Sequence, residues 1–192
     1  VYGSTREHLL ESKGYLADGT YTWFGEVPKA VYMDKVLGLG VASELENSIY
    51  FGAHEVLKEE SNRKEIAEGF PKASIPRRNT GYALDLLAEM KPYTPDGENF
   101  NFNKLIAGSE GTLFFLTEVK LSLVDLPPQN RALVCIHCNS VDESLKANLV
   151  ALQYNPYAVE LMDHYILECT KANLQQRENR FFVQGDPKAI LV

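Results

Sequence analysis

The sequence predicts an α+β fold, with strands pairing as antiparallel hairpins and helices packed beside them. Three observations carry that expectation. An N-terminal block alternates apolar and polar residues around a turn signal, two helical periods follow it, and a β-branched and aromatic run then ends at Pro127 and Pro128. The composition, 45% hydrophobic and 23% charged over 192 residues, is that of a folded chain able to bury a core without disulfides or metal.

In order along the chain, Leu9, Leu10, Tyr15 and Leu16 precede the turn Asp18-Gly19, and Tyr21, Trp23 and Phe24 follow it, as in two antiparallel strands. Leu37 to Gly40 reads as a loop, after which Ser43 opens a helix with Leu45, Ile49, His54 and Leu57 near one face. Asn62 with Glu65 is spaced to cap a second helix that carries Ile66 and ends near Gly69. Lys91 to Asn103 is polar and without period, which predicts an exposed loop. Thr112 to Val124 reads as a buried strand, and the Pro-Pro break after it divides the chain into domains 1–126 and 127–192. The second domain is expected to run strand Arg131 to His137, helix, strand Ala158 to Met162, helix, strand Arg180 to Gln184. Ser140 and Glu143 cap its first helix, which would bury Leu145, Leu149 and Leu152; Asp163 caps the next, with Tyr165, Ile166 and Cys169 on its inner face.

Charge narrows the function. Nineteen basic against 26 acidic residues give a net charge of −7, the wrong sign for a polyanionic partner, so nucleic acid is excluded. No apolar run reaches the roughly 20 residues of a membrane span. Three sparsely placed cysteines fit a reducing compartment, and the expected location is cytoplasmic. The chain opens on Val1 and closes on the apolar Ala189 to Val192, and reads as a piece of something longer.

Several clusters suggest chemistry and have a simpler structural explanation. Cys135 and Cys138 bracket His137, but on a strand positions three apart face opposite ways, so a shared metal or a bridge is not expected. Glu160, Asp163, His164 and Glu168 crowd a helix start, where acidic residues gather for dipole reasons alone. His8 and His54 stand isolated and read as packed or surface histidines. The segment Gly108, Ser109, Glu110, Gly111, Thr112, Leu113 differs. Two glycines flank a polar turn that runs into a strand; such a turn suits plain strand initiation as well as a loop whose amides hold an anion or a ring heteroatom. Ahead of it, Arg77, Arg78, Asn79, Thr80, Gly81 and Tyr82 combine charge, hydroxyls and an aromatic, a mix that suits an anionic ligand or a solvated basic patch.

The stretch Gly108 to Glu118 resembles the signature of the FAD-linked oxidases with a vanillyl-alcohol oxidase type of flavin domain. The branch it resembles most holds D-lactate dehydrogenases, glycolate oxidase flavin subunits and D-2-hydroxyglutarate dehydrogenases. Three more segments match in order: Tyr2 to Thr5 with the later turn Ala17-Asp18-Gly19, Asn79 to Tyr82, and Glu160 to Asp163. Phe114 stands where many members have glycine, and it and the polar loop before Gly108 resemble the large bacterial members in which an iron-sulfur domain follows the flavin part.

The resemblance implies that residues 1–126 form the second lobe of a flavin domain, an antiparallel sheet with flanking helices. Residues 127–192 would begin a ferredoxin-like substrate domain. It implies an oxidoreductase passing a hydride from a D-2-hydroxy acid to FAD, with an electron acceptor and the remaining lobes of the parent chain as partners. Gly108, Ser109, Glu110, Gly111, Thr112 and Leu113 are the implied flavin contacts, and Arg77, Thr80 and Tyr82 are further candidates near the ring. FAD is expected in the parent protein and not in this piece alone, because the family's glycine-rich phosphate loop, substrate arginine and metal-binding histidine pair match nothing here. No general base and no metal ligand is assigned. Two other readings stand beside this one: a non-catalytic interaction module, and an alcohol or sugar oxidase of the same flavin fold.

Overall fold

The computed structural model describes residues 3–72, 74, 75, 78 and 81–192. Helices and two small antiparallel sheets make up the chain, a mixture compatible with α+β. It divides into two compact units, Tyr2–Asp125 and Leu126–Val192.

The first unit opens with the short helix α1 (Thr5–His8) and the hairpin β1 (Leu9–Tyr15) and β2 (Tyr21–Phe24). Its turn is closed by the Thr20 amide donating to Asp18 Oδ1 at 2.9 Å, and Gly19 supplies the positive φ of 80° that the turn requires. Helix α2 (Lys29–Val36) leads to α3 (Glu44–Lys58), whose N-cap is Ser43, its hydroxyl accepting from the Glu46 amide. Helix α4 (Glu60–Gly69) follows after the single residue Glu59. Asn62 therefore lies inside α4 and does not cap it; its amide group donates to Val56 O at 2.9 Å, and Arg63 donates to Leu57 O at 2.6 Å. These side chains close the open carbonyls at the end of α3 instead.

Helices α5 (Leu84–Ala88) and α6 (Asn103–Ile106) precede β3 (Phe115–Leu121), and the sheet order is β2-β1-β3. The segment between Lys91 and Asn103 is not wholly the exposed loop its polarity predicts. Phe100 and Phe102 are fully or nearly fully buried in a core of aromatic rings, with Phe100 4.3 Å from Tyr32 and 4.8 Å from Phe102 between centroids. The asparagines among them are buried because they are satisfied. Asn103 Nδ2 donates to Leu10 O and Phe24 O, and its Oδ1 accepts from Ser12 Oγ at 2.6 Å. Strand β3 is shorter than Thr112 to Val124 and is exposed along its whole length, where the sequence predicts burial; only Phe114, just before it, enters the core. Among the described residues the faces of β3 are left open, and an apolar run looks the same in sequence whether or not anything covers it.

In the second unit β4 (Ile136–Cys138), β5 (Leu161–Asp163) and β6 (Ala189–Leu191) form a sheet in the order β4-β6-β5, antiparallel at both junctions. Residues 131–135 are not strand, so β4 is shorter than predicted. Helix α7 (Val141–Ala151) begins at Ser140, whose hydroxyl accepts from the Glu143 amide; helix α8 (His164–Ala172) begins at Asp163, whose carboxylate accepts from the Ile166 amide. Their expected inner faces are corrected. Leu145, Leu149 and Leu152 are exposed, as are Tyr165, Ile166 and Cys169, and the buried positions are Ser144 and Leu167. The short helix α9 (Leu174–Arg177) runs into a 3-10 turn over Glu178–Phe182, where a strand over 180–184 was expected. Arg180 holds that turn by donating to Leu167 O and Thr170 Oγ1, and the strand role passes to Ala189–Leu191, which is fully enclosed.

Candidate functional site

The turn Gly108 to Leu113 joins α6 to β3 and is anchored at both ends by the core. Ile106 is buried before it, and Phe114 after it packs edge-on against Phe24 at 5.1 Å. Inside the turn Ser109 is buried. Its amide donates to Ile106 O at 3.0 Å, and its carbonyl accepts from both the Thr112 amide at 3.1 Å and the Thr112 hydroxyl at 2.6 Å. Gly108, Glu110 and Gly111 have φ of 92°, 54° and 76°, so the chain stays near the left-handed region across the tip. Glycine accepts such a backbone without steric cost, whereas at Glu110 it stores strain.

The two glycines are required for different reasons. A Cβ on Gly108 would lie 2.5 Å from Arg6 Nη2, while a Cβ on Gly111 would meet nothing within 4 Å among the described residues. At Gly111 the positive φ calls for glycine, and no described residue crowds the position a side chain would take.

Two segments distant in sequence meet at this turn. Arg6 Nε donates to Ala107 O at 3.0 Å and Arg6 Nη2 to Gly81 O at 3.5 Å, so one guanidinium ties α1, the Gly81 loop and the turn together. The Tyr82 hydroxyl lies 2.7 Å from Thr112 Oγ1. Because Thr112 spends its single proton on Ser109 O, the Tyr82 hydroxyl is the donor in this pair. Of the residues singled out in the sequence, Gly108 to Leu113 and Tyr82 are thus brought together; Arg77 and Thr80 lie outside the described residues. Arg6 was missed. It follows directly after the matched segment Tyr2 to Thr5, but a lone arginine in a polar stretch gives no periodic or spacing signal.

Geometrically, the turn presents a rigid backbone edge, an aromatic side chain that is half exposed, and a cation held by two carbonyls. Such a set can bind a planar, polar heterocycle through main-chain groups. A cleft of about 530 Å³ lies on the hairpin, lined by Trp23, Asn101 and charged side chains. Its lysines are committed to neighbours, Lys13 to Glu118 at 2.8 Å and Lys120 to Glu11 at 2.7 Å. It offers ligands little unspent charge.

The other predicted clusters resolve into structure. His137 Nε2 accepts from the Gln184 amide at 3.1 Å, which leaves the proton on Nδ1 to bond Cys135 O. Cys138 is buried and Cys135 half-buried, and burial followed by the Glu143 charge pushes the Cys138 thiol up. Asp163 is spent on its cap, Glu168 pairs with Lys171, and no group of three or more metal-ligating side chains occurs among the described residues. His54 packs on the Tyr93 hydroxyl at 3.1 Å, which in turn lies 2.6 Å from that of Tyr32. Burial pushes Tyr93 up to about 12 and, aided by the Tyr93 bond, Tyr32 further. Among the described residues no helix is long and apolar enough to cross a membrane.

The chain is similar to curated proteins named D-2-hydroxyglutarate dehydrogenase. It is 28% identical over 188 residues to the one from Pantoea ananatis, covering 97% of this chain and 17% of that protein. With those of Escherichia coli and Haemophilus influenzae it shares 27% over 176 residues and 26% over 173, or 91% and 90% of this chain and 16% of each relative. The chain therefore spans about a sixth of the length of the curated relatives it matches. No protein-family model matches it, and no solved structure matches it significantly.

Proposed function

We propose that this chain is part of an FAD-dependent dehydrogenase of D-2-hydroxy acids, of the D-2-hydroxyglutarate, D-lactate or glycolate type, and that the turn Gly108 to Leu113 lies against the flavin. One observation carries the assignment of the site. Three of the four segments that resemble the family, those at Tyr2 to Thr5, at Asn79 to Tyr82 and at Gly108 to Glu118, are far apart in sequence, and Arg6, next after the first, Gly81-Tyr82 of the second and the Gly108 turn of the third meet through the Arg6 bonds and the Tyr82–Thr112 bond. The similarity to D-2-hydroxyglutarate dehydrogenases over nine-tenths or more of the chain supports the reaction class.

The residues present fit one edge of a flavin. The turn's main-chain groups would meet the carbonyls and ring nitrogens of the isoalloxazine, Arg6 would hold the backbone that presents them, and Tyr82 would flank the ring. FAD would supply the hydride acceptor; this chain's residues orient it and exclude water on their side. Tyr2–Asp125 would be a lobe of the flavin domain, and Leu126–Val192 the start of the substrate domain, with an iron-sulfur domain possible further on.

The test is anaerobic spectroscopy on the intact protein that contains this chain. Its flavin absorbance should bleach on addition of a D-2-hydroxy acid and persist with the L enantiomer. A colourless intact protein, or one reduced only by primary alcohols or sugars, overturns the reading.

A further inference from the structure

Strand β3 is the edge of its sheet. It pairs with β1 on one side, every one of its seven residues is exposed, and among the described residues no strand lies along its other side. Ser122 N donates to His8 O at 2.8 Å, so by the two-residue alternation Lys120 and Glu118 turn their amides toward β1, and Val119 and Leu121 turn theirs outward. Over Glu118–Lys120, which lies between the two register shifts of the pairing with β1 and holds no proline, the open ladder is a template for another strand.

The charges on the strand select the occupant. On the outer face Lys13 lies opposite Glu118, and Glu11 opposite Lys120. We propose that β3 pairs antiparallel with β3 of a second copy of this chain, about a two-fold axis at Val119. Glu118 then lies opposite Lys120 of the second copy, and Lys120 opposite its Glu118. Each row across the joined sheet reads Lys13, Glu118, Lys120, Glu11, with alternating sign throughout.

Neighbouring registers fail on the same principle. Side chains that face each other must share a face of the sheet, so the axis falls on a residue. Centred on Glu118 or on Lys120, it places a charge against its own copy, which is repulsive. Centred on Val119, the axis also falls within Glu118–Lys120, the regularly paired stretch of β3, which ends at the register shift between Glu118 and Leu116. The contact is isologous and closes at two copies.

The test is sedimentation of the 192-residue chain, with substitutions that separate the rows. Wild type should sediment as a dimer. Glu118→Lys should weaken dimerisation about tenfold, roughly 1.4 kcal/mol, by turning two attractive pairs repulsive. Exchanging all four positions (E11K, K13E, E118K, K120E) restores every row and should recover the wild-type constant, which also controls for folding. Lys13→Gln, which breaks only the pair inside one copy, should leave the dimer in place. In a Cys135→Ser, Cys169→Ser background, Val119→Cys should cross-link under mild oxidation and Thr117→Cys should not. A monomeric wild type, a dimer indifferent to Glu118→Lys, or a Val119→Cys chain that fails to cross-link overturns the proposal.

Discussion

Replacing Lys35 by methionine should cost about 3–5 kcal/mol, the usual penalty for leaving a buried charge without its partner. Lys35 and Glu46 are both buried, with Nζ 2.8 Å from Glu46 Oε1. The other carboxylate oxygen accepts from Thr22 Oγ1 at 2.8 Å and the Ala42 amide at 2.9 Å, so Glu46 fastens α3 to β2 and to the loop before α3. Lys35 also donates to Gly40 O at 2.9 Å and lies 5.1 Å from the centre of the Tyr50 ring. Methionine keeps the stem and the ring contact and removes only the charge and its bonds. The carboxylate then stays in the core with nothing to neutralise it. Adding Glu46→Gln removes that charge while its amide oxygen still accepts from Thr22 and Ala42, so the double variant should recover most of the loss, to within about 1–2 kcal/mol of wild type, the residue of one or two lost hydrogen bonds. Urea unfolding followed by far-ultraviolet circular dichroism measures each difference at constant m-value. A single variant within about 0.5 kcal/mol of wild type, or a double variant as unstable as the single, refutes the reasoning.

Three further outcomes follow. Arg6→Ala in the intact protein should lower flavin content, because it releases the Ala107 and Gly81 carbonyls at once, while Arg6→Lys should restore little of it; flavin absorbance per protein checks both. The chain should lose stability as pH rises from about 10, the ordinary tyrosine range in the unfolded state. Tyr93, raised to about 12, and Tyr32, raised further, favour folding only while protonated in both states, and Tyr93→Phe should reduce that alkaline dependence in unfolding titrations. Thiol labelling of the folded chain should proceed at exposed Cys169 first, then Cys135, and at buried Cys138 only on unfolding; mass spectrometry of timed samples reads the order.

Much of the local structure was legible because its signals are local. The hairpin turn, and the caps at Ser43, Ser140 and Asp163, are each set by a few adjacent residues, and all four lie where the sequence places them. What the sequence misreads depends on distant partners. Phe100 and Phe102 sit among asparagines that look solvated until Leu10, Phe24 and Ser12 are seen to satisfy Asn103. The apolar runs of β3 and α7 carry the signature of burial although these faces are open in this chain. The turn at Gly108 was visible through its glycines, since positive φ leaves a trace in composition. Arg6 was not, because its role rests on two carbonyls 75 and 101 positions away.

Flavin loading after Gly111→Val, measured on the intact protein, tests the central claim most directly. Among the described residues nothing beyond its chain neighbours lies within 4 Å of the position a Cβ would take at Gly111, so the substitution acts through φ of 76° and through the space above the turn. Valine there should cost roughly 1–3 kcal/mol of strain, a loss circular dichroism and the urea midpoint can register separately from the cofactor. The predicted result is a folded protein that has lost most of its flavin absorbance. A folded Gly111→Val protein with a full complement of flavin, still bleached by the D-2-hydroxy acid, would contradict the assignment of this turn to the cofactor.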